Sequence, residues 1–132
     1  MAHVPEPALH RLRLVCLDLP EASEQTAWSG IRWVVARKTF AHVLMIEGGH
    51  PPAYAKAAGT DGSSCVLTFR GPRPAVDAPR FGHAPFFRPP WFHNIVGVSI
   101  DASTDWDELQ TLLVQGYGLL APRRLRDWVA RS

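Results

Sequence analysis

Cysteine is scarce in this 132-residue chain, with only Cys16 and Cys65, far apart and never in a C-x-x-C pair. That excludes a disulfide framework and the usual thiolate metal motifs. Each cysteine sits in an apolar run, RLVCLDL and SCVLTF, which predicts two buried free thiols in a reducing compartment. No stretch approaches a membrane-spanning length. The N-terminal MAHVPEPALHRLRLVCLDLP carries charges and prolines where a signal peptide needs a continuous apolar segment. The expectation is a cytoplasmic protein with no membrane contact. Metal and catalytic motifs are equally thin. His42, His50, His83 and His93 stand apart, with no HxH, HxxxH or HExxH spacing, so no metal site is expected. EGGH and GTDG are turn signals without the Lys-Ser/Thr pair of a P-loop. Ser63, Ser64 and Cys65 have no matched base in the sequence. The reading is a non-enzymatic protein with no cofactor.

What is present suits one folded domain spanning residues 1–132. Hydrophobic residues make up 46% and charged residues 20%, too apolar for a disordered tail. Twelve prolines and ten glycines predict many turns and irregular connections. Leu9, Leu12, Cys16 and Leu19 recur at helical spacing, so a first helix is expected from about Pro7 to Leu17. EASEQTAWSG reads as a polar loop. IRWVVAR (31–37) and TFAHVLMI (39–46) read as a hairpin, with CVLTFR (65–70) and NIVGVSI (94–100) as further strands. Residues 47–64 form a long connection in which 52–58 suit a helical turn, and 72–81 suit another. Thr104 or Asp105 should cap a second main helix, with Asp105 and Glu108 at capping-box spacing. Trp106, Leu109, Leu113 and Tyr117 mark its buried face, and Gly118 is its expected stop. Pro122 opens a last helix with Leu125, Trp128 and Val129 on one side. The order implies an α+β fold, an antiparallel sheet of about five strands with the N-terminal helix and the C-terminal helices packed on one face.

Charge is nearly balanced, at +2, which demands no nucleic-acid partner. Its distribution says more. Twelve of the fourteen basic residues are arginine, the side chain that grips phosphate or carboxylate with two parallel hydrogen bonds. Codon usage in a GC-rich genome also accounts for that excess. Arginines cluster in 70–93 and again at 123–131, and Asp101, Asp105, Asp107 and Glu108 lie between them as an acidic block, read as helix capping. The segment FGHAPFFRPPWFHN (81–94) packs aromatics, prolines, histidines and Arg88 almost side by side.

Several segments together carry a family resemblance: CLDLPEASE, RKTFAHV, CVLTFR, HAPFFRPPWF, VGVSID and TDWDELQTLLVQGYGLLAPRRL. Over residues 9–130 the chain resembles the MmcQ/YjbR family, in particular its actinobacterial-type members. The resemblance implies a frataxin/CyaY-like fold and carries the family's DNA-binding label. It departs from the pattern in its longer 47–64 connection. Its first helix shows His10, Arg11 and Arg13 in place of the acidic ridge by which frataxin-type proteins hold iron, so iron delivery is not expected.

Two binding readings follow, with a third beside them. In the first, Arg32, Arg37, Lys38, Arg70, Arg73 and Arg88 share a cationic sheet surface that binds DNA, with Trp33, Phe87 or Trp91 stacking on bases. In the second, Trp28, Trp33, Phe86, Phe87, Trp91 and Phe92 line a cleft for a small planar or anionic ligand, oriented by Arg88 or His83. The third is a protein-interaction module using the basic C-terminal helix. Against each stands a purely structural role for the same residues, with the aromatics filling the core and the arginines solvated.

Overall fold

A computed structural model describes residues 3–72, 75–91 and 93–130. The elements are α1 (Glu6–Cys16), β1 (Ser23–Thr26), β2 (Ile31–Val35), β3 (Lys38–Ile46), α2 (Pro52–Ala58), β4 (Ser64–Arg70), β5 (Phe86–Phe87), β6 (Ile95–Ile100), α3 (Trp106–Leu120) and α4 (Arg123–Ala130). Two short 3₁₀ turns, Ala75–Asp77 and Pro79–Gly82, precede β5. The strands form one antiparallel sheet in the order β1-β2-β3-β4-β6-β5. The protein is therefore α+β, with six strands among the described residues where the sequence predicts about five.

Alternation along β3, β4 and β6 assigns side chains to two faces. Val43, Leu67, Val96 and Val98 point to one face and join Leu9, Leu12 and Cys16 of α1 and Leu109, Leu113 and Tyr117 of α3 in the main core. The apolar stripe on α1 is buried as its spacing predicts, including Leu19 just beyond it. Both cysteines are buried free thiols. Leu125 of α4 is buried in the same core, whereas Trp128 is exposed.

The opposite face is covered only in part. Leu44, Ile46 and Val66 are buried there beneath Ala55 of α2, with Phe87 beside them. The seven residues of α2 extend for roughly 10 Å, which is too short to cover the sheet. Phe87 lies flat enough over Gly97 that any Cβ at that position would collide with its ring.

Two strands and one helix end differ from the sequence reading. The polar segment SEQT forms β1, the edge strand, although only one of its residues is even partly buried. It is held by ladder pairing to β2 and by Glu24, which accepts hydrogen bonds from Arg13 Nε and Nη2, each at 2.9 Å, and from Trp33 Nε1 at 3.1 Å. Strand β5 is a two-residue addition to β6. Helix α3 continues through Gly118 and leaves helical geometry at Ala121, because Pro122 disfavours the α region for the residue before it. Its N-terminus is as expected: Asp105 caps the helix and its side chain accepts from the Glu108 amide at 3.1 Å.

Helix α3 approaches β4 closely. A Cβ on Gly116 would stand 2.7 Å from the Arg70 carbonyl oxygen and 3.3 Å from the Arg70 amide nitrogen, both rigid backbone atoms. Gly116→Ala therefore has to push α3 off the sheet. We expect a loss of about 1–3 kcal/mol, read as a lower urea midpoint with an unchanged denaturant slope.

Candidate functional site

The paired positions Gln25, Arg32, His42, Thr68, Gly97 and Phe87 form one row across the whole sheet. Directly opposed residues share a face, and this row lies on the face that α2 only partly covers. Moving along β3 and β4 toward the β2–β3 turn, the residues on this face change from Leu44 and Val66 to His42 and Thr68, and then to Arg70. Cover by α2 ends where this change occurs, and a cleft of about 120 Å³ opens over His42, Thr68, Arg70 and Ile95, walled by Tyr54 and Trp91.

Aromatic contacts build the rim. Tyr54 on α2 packs against Trp91 with ring centroids 4.9 Å apart and a 60° tilt. It also meets the His42 ring edge-on at 6.0 Å. Trp28, in the loop between β1 and β2, stands 6.1 Å from Tyr54 and 6.2 Å from His42. Trp28 is 73% exposed and Trp91 is 41% exposed. Both present ring surface to solvent beside the cleft.

Polar groups line the floor. Nε2 of His42 is 2.6 Å from the Ser29 carbonyl oxygen. A carbonyl only accepts, so Nε2 carries the proton and, in the neutral ring, Nδ1 is an acceptor. The Tyr54 hydroxyl lies a long 3.4 Å from Nδ1. Burial holds the His42 pKa below its ordinary value, the bond to Ser29 opposes that shift, and the positive charge of Arg32 adds to it. Thr68 donates weakly to the His42 carbonyl at 3.5 Å. The Arg70 guanidinium is steered by Asn94, whose Oδ1 accepts from Nη1 at 3.0 Å. Burial lowers the Arg70 pKa, yet arginine remains charged at neutral pH, so the cleft carries a partly desolvated cation.

The residues expected to act together are divided by the structure. Arg32 and Arg70 share the open face, Arg32 donating to Gln25 Oε1 at 3.0 Å. Arg37 lies in the two-residue turn between β2 and β3, with φ of 51° at Ala36 and 66° at Arg37. Lys38 is exposed and pairs with the core residue Val35, which puts it on the helix-covered side at the end of the sheet. Arg73 lies outside the described residues. Arg88 is a structural residue: it donates from Nε to the Ile95 carbonyl at 3.2 Å and from Nη2 to the His93 carbonyl at 2.7 Å, and from Nη1 to the Val76 carbonyl and to Asp77. Its guanidinium thus ties the 3₁₀ turns to the chain leading into β6, and its donors point into that framework.

Three aromatic or histidine assignments also change. Trp33 is completely buried on the helix side and donates to Glu24, because its position in β2 alternates with Arg32. Phe87 is buried against Gly97. His83 is exposed at the end of the Pro79–Gly82 turn and does not line the cleft. The cleft residues absent from the expected site are Tyr54, Thr68 and His42, the last weighed only as a metal ligand. For His42 the signal in the sequence was strand alternation, since it is the polar member of a set that continues with Leu44 and Ile46; Thr68 and Tyr54 carried no such signal. Among the described residues no group of three or more His, Cys, Asp or Glu is arranged to hold a metal ion, and no helix is long and apolar enough to cross a membrane. No family model matches the chain, and no curated protein matches it.

Because His42 is held neutral in the fold, the unfolded chain binds more protons than the native one below about pH 6.5, and stability falls as pH drops through that value. The expected thermal midpoint is level above roughly pH 7 and declines below it. His42→Gln should flatten that decline. Glu24, held below its ordinary 4.5 chiefly by the hydrogen bond from Arg13, adds a separate loss only at lower pH. Melting curves from pH 5 to pH 8 (roughly the range in which histidine titrates) check the assignment.

Proposed function

We propose that this chain is a non-enzymatic MmcQ/YjbR-type protein that binds a small planar anion in the cleft over β3 and β4. The observation that carries the reading is the Arg70 guanidinium within a cleft walled by Tyr54 and Trp91 and floored by His42 and Thr68. A desolvated cation favours an anionic partner, and two ring faces favour a flat one. The volume of about 120 Å³ is comparable to the roughly 150 Å³ of an engineered cavity that holds one benzene ring. A single ring therefore fits, with room for further substituents toward solvent.

Binding without chemistry is the simpler role for these groups. Cys65 is a poor nucleophile, its thiol pushed up by burial to about 11, and Cys16 is buried and shifted in the same direction. The family resemblance is consistent with an α+β scaffold of this kind. Its DNA-binding label is less well supported by the charges. Ion pairs engage Arg13, Arg80, Arg88, Arg123 and Arg124 with Glu24, Glu108, Asp77, Asp127 and Glu21. Among the described residues, Arg32 and Arg70 are the arginines of the expected nucleic-acid set that share the open face, whereas tracking a phosphate backbone takes several cations on one surface.

Titration with benzoate should quench tryptophan fluorescence and shift backbone amide resonances near Arg70 and Trp91. Benzyl alcohol, which lacks the charge, should do neither. Arg70→Gln should weaken benzoate by at least about tenfold, or ~1.4 kcal/mol, in a protein that still melts cooperatively. A chain that ignores benzoate but retards labelled DNA at low salt, with retention lost as salt rises, would instead fit the nucleic-acid reading.

A further inference from the structure

We propose that the protein holds a second binding site, between the first turns of α1 and α3, for an amphipathic carboxylate whose charge sits on Arg11 and whose saturated chain enters the cleft. The site lies on the helix-covered face of the sheet and goes beyond the reading of the cleft over β3 and β4.

The opening follows from where the large side chains stand. Helices α1 and α3 run in the same direction across that face: Arg11 meets Trp106 near their N-termini, and the Tyr117 hydroxyl donates to the Pro20 carbonyl at 2.7 Å near their C-termini. Tyr117 fills the C-terminal end, packed edge-to-face on Phe40 at 5.6 Å. At the N-terminal end the buried residues are small, Ala8 on α1 and Cys65 on β4. They leave a cleft of about 350 Å³ that is lined by Cys65 and Ile100 from the sheet, by Pro5 and Pro7 at the start of α1, and by Trp106. That volume is more than twice the roughly 150 Å³ that holds one benzene ring, and it falls within the range of small-molecule sites, about 300–1,000 Å³. An apolar body of about eight to ten carbons suits it.

The lining sets the kind of body. Pro5, Pro7, Ala8 and Ile100 are aliphatic, and the Trp106 ring already carries the Arg11 guanidinium over one face, 5.6 Å from its centroid. A saturated chain therefore matches the walls, and each methylene it buries strengthens binding by roughly fourfold.

Arg11 sets the charge. Two residues on, Arg13 is held by the Glu24 carboxylate. Among the described residues no carboxylate pairs with Arg11. Resting on an aromatic face steadies the cation and leaves its N–H donors unspent. Asp101 also lines the cleft, but its Oδ1 accepts from the Ser103 amide at 2.8 Å and the Ser103 hydroxyl at 2.6 Å. That carboxylate serves the turn into α3 and repels a second anion, so the occupant carries its one negative charge at the Arg11 end.

The experiment titrates the full chain with octanoate, butyrate, octanol and octyltrimethylammonium and follows the amide resonances of Ile100 and Ala102 and the Trp106 indole resonance. Octanoate should shift these signals, and butyrate, too short to fill the cleft, should bind at least about tenfold more weakly. Arg11→Gln should weaken octanoate by about threefold or more and leave octanol unchanged. Asp101→Asn, which keeps the oxygen that Ser103 uses, should not weaken octanoate. Ala102→Phe, at an exposed position of the rim, should block octanoate in a protein that still melts cooperatively. Absence of shifts with octanoate, tighter binding of octyltrimethylammonium, equal loss of octanoate and octanol in Arg11→Gln, or shifts near Arg70 and Trp91 in place of Ile100 and Trp106 would each overturn the inference. None of these outcomes bears on the cleft over β3 and β4, which benzoate tests separately.

Discussion

The antiparallel register between β3 and β4 is the constraint on which the rest of the molecule depends. It sets Val43 opposite Leu67 on the helix side and His42 opposite Thr68 on the other. A slip of one residue would turn His42 into the main core and Val43 toward the cleft. Both strands are buried over most of their length, so such a slip exposes apolar surface on one face and buries unpaired polar groups on the other. The cleft and the core are therefore consequences of one pairing.

Arg70 is positioned from both sides of that sheet. Its backbone lies against Gly116 of α3, with no room for a side chain between them. Its side chain emerges on the opposite face, where Asn94 steers it. The asymmetry of the two faces follows from helix length. Helices α1 and α3, with eleven and fifteen residues, cover one face, whereas α2 covers only Leu44, Ile46 and Val66 on the other. What α2 leaves uncovered is the polar end of the inward set. A rigid sheet floor with a partial aromatic rim is the kind of support on which a small-molecule site holds its geometry.

The segment 81–94 is neither wholly a site nor wholly scaffold. Phe81 and Phe86 pack edge-to-face at 4.9 Å beside the main core, and Phe87 belongs to the opposite face because neighbouring strand residues point apart. Arg88 is consumed by backbone carbonyls and Asp77. Among the described residues of the segment, Trp91 alone lines the cleft, where it contacts Tyr54. Crowding in sequence therefore said little about shared function: four aromatics within eleven residues are sent to three different surroundings. Phe92 lies outside the described residues.

Local chemistry determined much of this protein from its sequence alone. The i, i+3, i+7 spacing of Leu9, Leu12 and Cys16 makes one helix face apolar. The alternation in 31–46 and 65–70 makes strands, and Asp105 three residues before Glu108 caps a helix; each requires only neighbours in the chain. Tertiary structure decided what those rules do not reach. The strand SEQT exists because β2 offers it a ladder and Arg13 a bidentate ion pair. Trp33 is core and Arg32 open because of the side on which α1 and α3 happen to pack. The cleft joins His42, Tyr54, Thr68, Arg70 and Trp91, five residues spread over about fifty positions, and only the sheet register and the docking of α2 bring them together. Periodicity along a chain encodes which face of an element is apolar; it does not encode which other element will cover that face, or how far the cover extends.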